Sequence, residues 1–439
     1  MTGLDERLTA IVRLFALGDR IPVGEARHAL EPVDLEEVAE TSLLSIDGDF
    51  AVPNYRLLPH GRLLIAGDAR GGAGADVVSA FTGPTLKLAR LTPRAPVRSM
   101  LDVGTGSGIL ALLGAEHCEQ VTALDVNPRA VEFAGFNADL NEISDVELVE
   151  GSWFEPVAGR RFDLIVINPP YVVSPDHELV YRDSGLPGAA LLEQLIRDAA
   201  AHLEPGGVAV MLGSWPHASG DDWAAAPTSA AAATGCDALI VSQTSEDPLN
   251  YAANWNTPPV SFTPPDEVRQ TVARWVEHYR AIGAGTITYG EVILRRRTTG
   301  NPWVQAVKAG SEVGDRAAEH IARVFAGHDV TEALDDRALL ATRFVLPEGI
   351  DISQRFQRRD ERFVARPAMV RLEDGLGVSA AIDPDALDVL FACDGRRALS
   401  EVVERAAERR GTDFDAARET AAAAVRELLT YGLLEGVRA

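Results

Sequence analysis

The stretch Leu101-Asp-Val-Gly-Thr-Gly-Ser-Gly108 decides how the chain is read. It closes a predicted strand, Arg98–Val103, and opens a predicted helix, Ile109–Ala115. Glycines here let the backbone turn tightly and approach a ligand with no side chain in the way. The helix start behind them offers N–H groups with no partner inside the helix. A dinucleotide fingerprint, G-x-G-x-x-G, aligned on Gly104 and Gly106, would need glycine where Ile109 stands. The pattern is instead D-x-G-x-G-x-G. An acid two residues before the first glycine, Asp102, suits a cationic amine rather than a pyrophosphate.

Working outward, further strand candidates are Gln120–Asp125, Val146–Val149, Asp163–Ile167, Val208–Leu212, Ala238–Ser242 and Tyr289–Leu294. Helical segments lie between most of them. That alternation predicts an α/β fold with a mainly parallel sheet covered on both faces. The second strand ends in Asp125-Val126, where a carboxylate accepts a pair of ribose hydroxyls. The third runs into Ser152-Trp153, an indole suited to lie against a purine. The fourth runs directly into Asn168-Pro169-Pro170-Tyr171.

That tetrapeptide has its own chemistry. An amide or aryl amine nitrogen is a poor nucleophile because its lone pair is delocalised. The Asn168 side-chain oxygen and the Pro169 carbonyl can each accept one N–H of a planar NH2. This aims the lone pair and stabilises the positive charge that grows on nitrogen. Consecutive prolines keep the segment extended and present carbonyls. Tyr171 can stack on a flat substrate group.

With these motifs in order, residues from about 80 to 297 resemble class I S-adenosylmethionine-dependent methyltransferases. Asn168–Tyr171 resembles the amino-methyltransferase branch, which includes the release-factor glutamine methyltransferases and the adenine and guanine exocyclic-amine methyltransferases. Tyr181-Arg-Asp183-Ser-Gly-Leu-Pro-Gly188 and Leu203-Glu-Pro-Gly-Gly207 are similar to the loop and helix that come after the motif in the glutamine enzymes. The whole layout also resembles a larger actinobacterial-type group with extra terminal domains. The resemblance implies a Rossmann-like seven-stranded sheet with its last strand antiparallel, and S-adenosyl-L-methionine as cofactor. It implies that Asp102, Gly104, Thr105, Gly106 and Gly108 line the methionine end. Asp125 and Val126 would take the ribose side, Ser152 and Trp153 the adenine, and Asn168 would face both cofactor and substrate. Ser152 stands where the family often has aspartate. Tyr181, Asp183, Trp215, Tyr251 and Trp255 are candidate substrate contacts. Tyr251, Trp255 and Phe262 lie in the long 249–265 connection, a candidate lid.

Three regions are expected. Residues 1–67 read as helices followed by a hairpin around Asp47-Gly48, a winged-helix-like module. Residues 68–300 are the methyltransferase-like region. Residues 301–439 end in helices at Asp385–Cys393, Leu399–Arg410 and Phe414–Thr430, again winged-helix-like.

The 439 residues carry a net charge of −24, and residues 91–300 hold −14 of it. Such acidity disfavours sequence-independent binding to phosphate backbones. The local exception is the basic patch Arg355, Arg358, Arg359, Arg362 and Arg366, which could grip RNA or an acidic peptide. Two lysines, Lys87 and Lys308, stand against 39 arginines. Three widely spaced cysteines suit a reducing compartment and form no metal-ligand pattern, so no metal is expected. No apolar run is long enough to span a membrane. The expectation is a cytoplasmic N-methyltransferase acting on a planar nitrogen of a protein or peptide. Alternatives are a nucleobase amine of RNA or DNA, a small natural product, or a non-catalytic cofactor-binding regulator with DNA-reading ends. Oligomeric state is not readable.

Overall fold

Strands covered by helices on both faces are near-continuous apolar runs. Phe162–Ile167 is the clearest case, with only Asp163 breaking the row of buried side chains. A computed structural model describes residues 5–69, 76–176, 189–257, 264–310 and 312–437. All seven expected strands form: β1 Val97–Val103, β2 Cys118–Asp125, β3 Val146–Glu150, β4 Phe162–Ile167, β5 Leu203–His217, β6 Asp237–Glu246 and β7 Thr286–Arg295. An eighth, β8 Val304–Lys308, was not expected. The sheet order is β8-β6-β7-β5-β4-β1-β2-β3. Pairings β1–β2, β2–β3, β1–β4 and β4–β5 are parallel, and β7 runs antiparallel to β5. The chain winds outward from β1 in one direction and from β4 in the other. Their shared carboxyl end is therefore a topological switch point, where open α/β sheets leave a crevice.

Helices α1 Gly83–Leu91, α2 Ile109–Gly114, α3 Pro128–Leu140, α4 Ala190–His202, α5 Pro248–Asn256 and α6 Pro265–Ala281 accompany the sheet. Asn127 caps α3 by accepting the Arg129 N–H, with Pro128 in the first turn.

The described chain divides into two compact units, the first built from residues up to 305 apart from two short segments, 90–93 and 241–244. Within the first unit, residues 5–53 hold a small core of their own around Leu14, Ile21, Leu35 and Leu44. Helices Val23–Leu30 and Leu35–Glu40 precede the hairpin Leu44–Asp47/Phe50–Pro53, and Ile21–Pro22 joins that hairpin as a third strand. A second hairpin, Tyr55–His60 with Leu63–Asp68, has no clear signature in the sequence.

The second unit contains most of residues 306–439. Helices Ala317–Ala333 and Phe414–Thr430 approach so closely that a Cβ on Gly327 would sit 1.8 Å from the Leu429 carbonyl oxygen. Only glycine fits there. The strands Arg343–Val345, Asp394–Ala398 and Glu435–Val437 form one three-stranded sheet beside them. His320 is fully buried. Its Nε2–H donates to the Tyr431 carbonyl at 2.7 Å, and its Nδ1 accepts the Leu376 N–H at 3.2 Å. Burial pulls its pKa down to about 4. A depressed folded pKa gives stability that is complete above the unfolded value near 6.5 and is lost as pH falls towards 4. The loss expected from this one group is about 3 kcal/mol. Thermal melts between pH 7 and pH 4 should show it, and His320→Gln should flatten that slope.

Candidate active site

The glycine turn is held rigidly from four sides. Gly104 and Thr105 both donate their backbone N–H to the Leu124 carbonyl, at 2.8 and 3.0 Å. The Gly106 N–H donates to Asp125 Oδ2 at 2.9 Å. The Ser107 hydroxyl donates to the Ala80 carbonyl. Gly108 has φ of 86° and rests on α3, where a Cβ would lie 2.9 Å from the Ala134 Cα. Positive φ and close approach both demand glycine at this point.

Asp102 is wholly buried beneath the turn. Its Oδ2 accepts the Thr105 hydroxyl at 2.7 Å and the Ala111 N–H, at the start of α2, at 3.2 Å. Its Oδ1 is buried with no hydrogen-bond partner among the described residues. Burial pushes the carboxyl up to about 7, and the nearby Asp125 charge adds to the rise; the Thr105 hydroxyl and Ala111 N–H oppose it. An acceptor left unsatisfied in a dry site is a costly arrangement that a cationic donor would relieve. Thr105 thus serves as the clamp on Asp102, a role that its place in the motif does not announce.

At the tip of β2, Asp125 also accepts the Asn127 N–H through Oδ1 at 2.9 Å. Each of its oxygens therefore has one backbone donor and a lone pair left. The neighbouring Val126 side chain is 54% exposed, an apolar surface beside the carboxylate. After β3, Trp153 takes a positive φ of 48°, rare for a bulky residue, and packs partly buried on the sheet core. Ser152 is half-buried beside it.

Asn168 stands at the tip of β4, next to the glycine turn. A Cβ on Gly104 would lie 3.4 Å from the Asn168 carbonyl oxygen. The Asn168 Nδ2 donates to the Thr85 hydroxyl of α1 at 3.3 Å. Its Oδ1 is thereby left to accept.

The segment after Asn168 is braced by aromatic residues. Tyr171 meets Tyr289 at 5.2 Å between ring centres and Trp255, edge-on, at 6.3 Å. Lys87 of α1 lies 4.6 Å above the Tyr289 ring and pairs with the buried Glu291 at 3.2 Å. This gives one of the two lysines a place beside the site. Tyr251 Oη accepts the Val173 N–H at 3.3 Å, and the Tyr279 hydroxyl donates to the Val173 carbonyl at 2.7 Å. Trp275 Nε1 donates to Asp176 at 2.8 Å. Helices α5 and α6 thus grip both backbone groups of one residue just past the tetrapeptide. A small cavity opens behind Pro169 and Tyr171, against Leu191, Leu192 and Ser214.

Two candidate substrate contacts are corrected. Trp215 does not face a cleft. Strand β5 runs on to His217, so Trp215 is still inside the sheet, fully buried, with Nε1 bonded to the Trp223 carbonyl at 2.6 Å. Tyr251 is likewise a core residue, 4% exposed in the cluster with Trp275 and Tyr279. Trp255, 37% exposed, does sit against Tyr171. Tyr181, Asp183 and Phe262 lie outside the described residues.

Residues 82–215 match the family described as methyltransferase small domain. This part of the chain is similar to methyltransferase small domains. A second match, over residues 329–436, is to a domain of unknown function, DUF7782. Among curated relatives, the release factor glutamine methyltransferase of Xylella fastidiosa strain Temecula1 is 40% identical over 132 residues. That alignment covers 27% of this chain and 47% of that protein. The ribosomal protein uL3 glutamine methyltransferase of Bradyrhizobium diazoefficiens is 35% identical over 125 residues, 25% of this chain and 39% of that protein. The chain thus spans less than half the length of these relatives. A solved methyltransferase from Pyrococcus furiosus is 17% identical, with a TM-score of 0.32 over 55% of this chain and 89% of that one. Asn168 and the glycine turn both fall inside the matched residues 82–215. No helix among the described residues is long and apolar enough to cross a membrane.

Proposed function

We propose that the chain is an S-adenosyl-L-methionine-dependent N-methyltransferase that modifies a planar amide nitrogen of a cytoplasmic protein or peptide. The observation that carries this reading is the contact of Asn168 with the glycine turn, 3.4 Å from the place of a Gly104 Cβ. It puts an acceptor pair for an NH2 group beside the segment suited to a sulfonium amino acid. When bound, the cofactor supplies the methyl group. Asp102 Oδ1 and the turn Gly104–Gly108 would hold its methionine end. Asp125, Val126, Ser152 and Trp153 would hold its nucleoside. The buried orphan oxygen of Asp102 supports a cationic ligand there.

The rest of the reaction falls to the chain itself. Thr85 fixes the Asn168 amide so that Oδ1 accepts one substrate N–H, while Pro169 offers its carbonyl to the other. Those bonds strengthen as positive charge develops on the nitrogen, which is the form of stabilisation that speeds transfer. Tyr171, held by Tyr289 and Trp255, supplies a flat wall for the amide plane. The kinship with enzymes named for glutamine in a release factor and in ribosomal protein uL3 supports a protein substrate. The strand and helix order of residues 6–53 supports a winged-helix-like module. We read the chain as three parts, 1–67, 68–300 and 301–439, with the candidate catalytic residues all in the second.

Label from radioactive S-adenosyl-L-methionine should pass into a cell lysate as protease-sensitive material. Nuclease-sensitive label, or label in the small-molecule filtrate, would overturn the protein reading. A pH dependence is also expected. An ammonium is held by the ionised carboxylate, and Asp102 lies near 7. Affinity for S-adenosylhomocysteine should therefore fall about tenfold from pH 8 to pH 6. Calorimetric titration of Asp102→Asn should show weaker binding with no such slope.

A further inference from the structure

Within the second unit, strands Phe356–Arg359 and Arg362–Ala365 pair antiparallel with each other and, among the described residues, with no third strand. The Arg366 N–H donates to the Arg355 carbonyl at 2.8 Å and lengthens the ladder by one pair. Cross-strand partners share a face, and successive residues alternate. The pairs Phe356↔Ala365 and Arg358↔Phe363 therefore lie on one face. Gln357↔Val364, Arg359↔Arg362 and the Arg355–Arg366 pair lie on the other. One face presents two phenylalanines around an arginine. The opposite face presents four arginines.

Among the described residues of the unit, nothing covers either face. Phe356 is 61% exposed and Phe363 is 73% exposed, and neither joins the unit's core cluster. All five arginines are exposed, and no ion pair among the described residues engages their guanidinium groups. Elsewhere in the unit arginines are paired, as Arg371 is with Asp351 and Arg410 with Asp388. An isolated two-stranded ribbon is marginal in water, and exposed rings on it invite aggregation. Such a ribbon is accounted for by what binds it.

We propose that this hairpin is a binding site for unpaired nucleic acid. Phe356 and Phe363 occupy diagonal cross-strand positions roughly 7–8 Å apart, room for bases that follow each other about every 3.4 Å. Aromatic faces stack on any base, and arginines on both sides of the ribbon reach the phosphates. An acidic peptide would use the arginines and leave both rings wet. The acidity of residues 91–300 disfavours phosphates there. The hairpin lies apart in sequence from the transfer site, and the inference stands without the methyltransferase reading.

The test is fluorescence anisotropy of the full chain with a labelled 20-mer of mixed-sequence RNA, its DNA counterpart, and a poly-glutamate peptide. Binding of either oligonucleotide with Kd of about 1–100 μM at low salt is expected, and the tighter of the two identifies the source. Phe356→Ser with Phe363→Ser should weaken it at least about 30-fold with the salt slope unchanged. Arg358→Glu, Arg359→Glu and Arg362→Glu together should weaken it about 100-fold and flatten the log–log salt slope by about 2. These side chains are exposed, so melting temperatures should stay at the wild-type value and show that each variant is folded. No anisotropy change up to about 100 μM, equal binding of poly-glutamate, or indifference to the two phenylalanines would each overturn the proposal.

Discussion

Asn168→Ala should leave S-adenosylhomocysteine binding within about twofold of wild type and lower the transfer rate about 100- to 1,000-fold. The split comes from the geometry. The glycine turn is held by Leu124, Asp125 and Ala80, none of which uses the Asn168 side chain. What the substitution removes is the acceptor that Thr85 keeps oriented. That acceptor matters most when the nitrogen is becoming cationic, so kcat should fall more than KM rises. Thr85→Val should show a smaller loss with the same signature, because it loosens the amide without removing it. Single-turnover transfer and calorimetry on the same preparations separate the two effects. A wild-type rate in Asn168→Ala would end this mechanism.

Asn137→Ala should destabilise the first unit by about 3–5 kcal/mol, visible as a lowered denaturation midpoint. Asn137 is a fully buried polar side chain. Its Oδ1 accepts the Ala66 N–H at 2.7 Å, and its Nδ2 donates to the Ala66 carbonyl at 3.0 Å and the Ser107 carbonyl at 2.8 Å. Alanine would strand three buried backbone groups at once. One turn further along α3, Asn141 repeats the pattern on Leu64, at 2.9 Å each way. Two side-chain amides thus imitate a neighbouring strand along Leu63–Asp68. Because Asn137 also holds Ser107 in the glycine turn, its loss should weaken cofactor binding as well. Asn137→Asp is the sharper variant, since it keeps the shape and replaces the donor with an acceptor that faces two carbonyl oxygens.

The central sheet was legible because its strands are buried on both faces and so appear as unbroken apolar runs between turn residues. The glycine turn, Asp125 and Asn168 stand out in the sequence because each lies at or directly after the end of a strand, and topology then brings those strand ends together. Other parts were not. The hairpin Tyr55–Asp68 shows no clean alternation, since nearly all the residues of its first strand are half-buried, and its partners Asn137 and Asn141 lie more than 70 positions away. Trp215 and Tyr251 looked like cleft residues because a large aromatic after a strand serves a core as well as a ligand. Only the length of β5 and the packing of α6 decide between the two. The support of Asn168 by Thr85 left no trace in sequence, because a threonine in the first turn of a helix is unremarkable there. Residues 305–380 carry little signal in the sequence, because their strands are of three to five residues and their long helix carries Gly327 and His320 in its buried face.

The paired asparagines also order events during synthesis. The strand Leu63–Asp68 leaves the ribosome 71 residues ahead of the side chain that receives it. At about 5–20 residues per second, that is a wait of roughly 4–14 s. Throughout it, the backbone edge of Leu64 and Ala66 lacks the two amides that will complete it. The N-terminal residues, which carry a core of their own, can close in that interval, while the edge of Leu64 and Ala66 waits for α3.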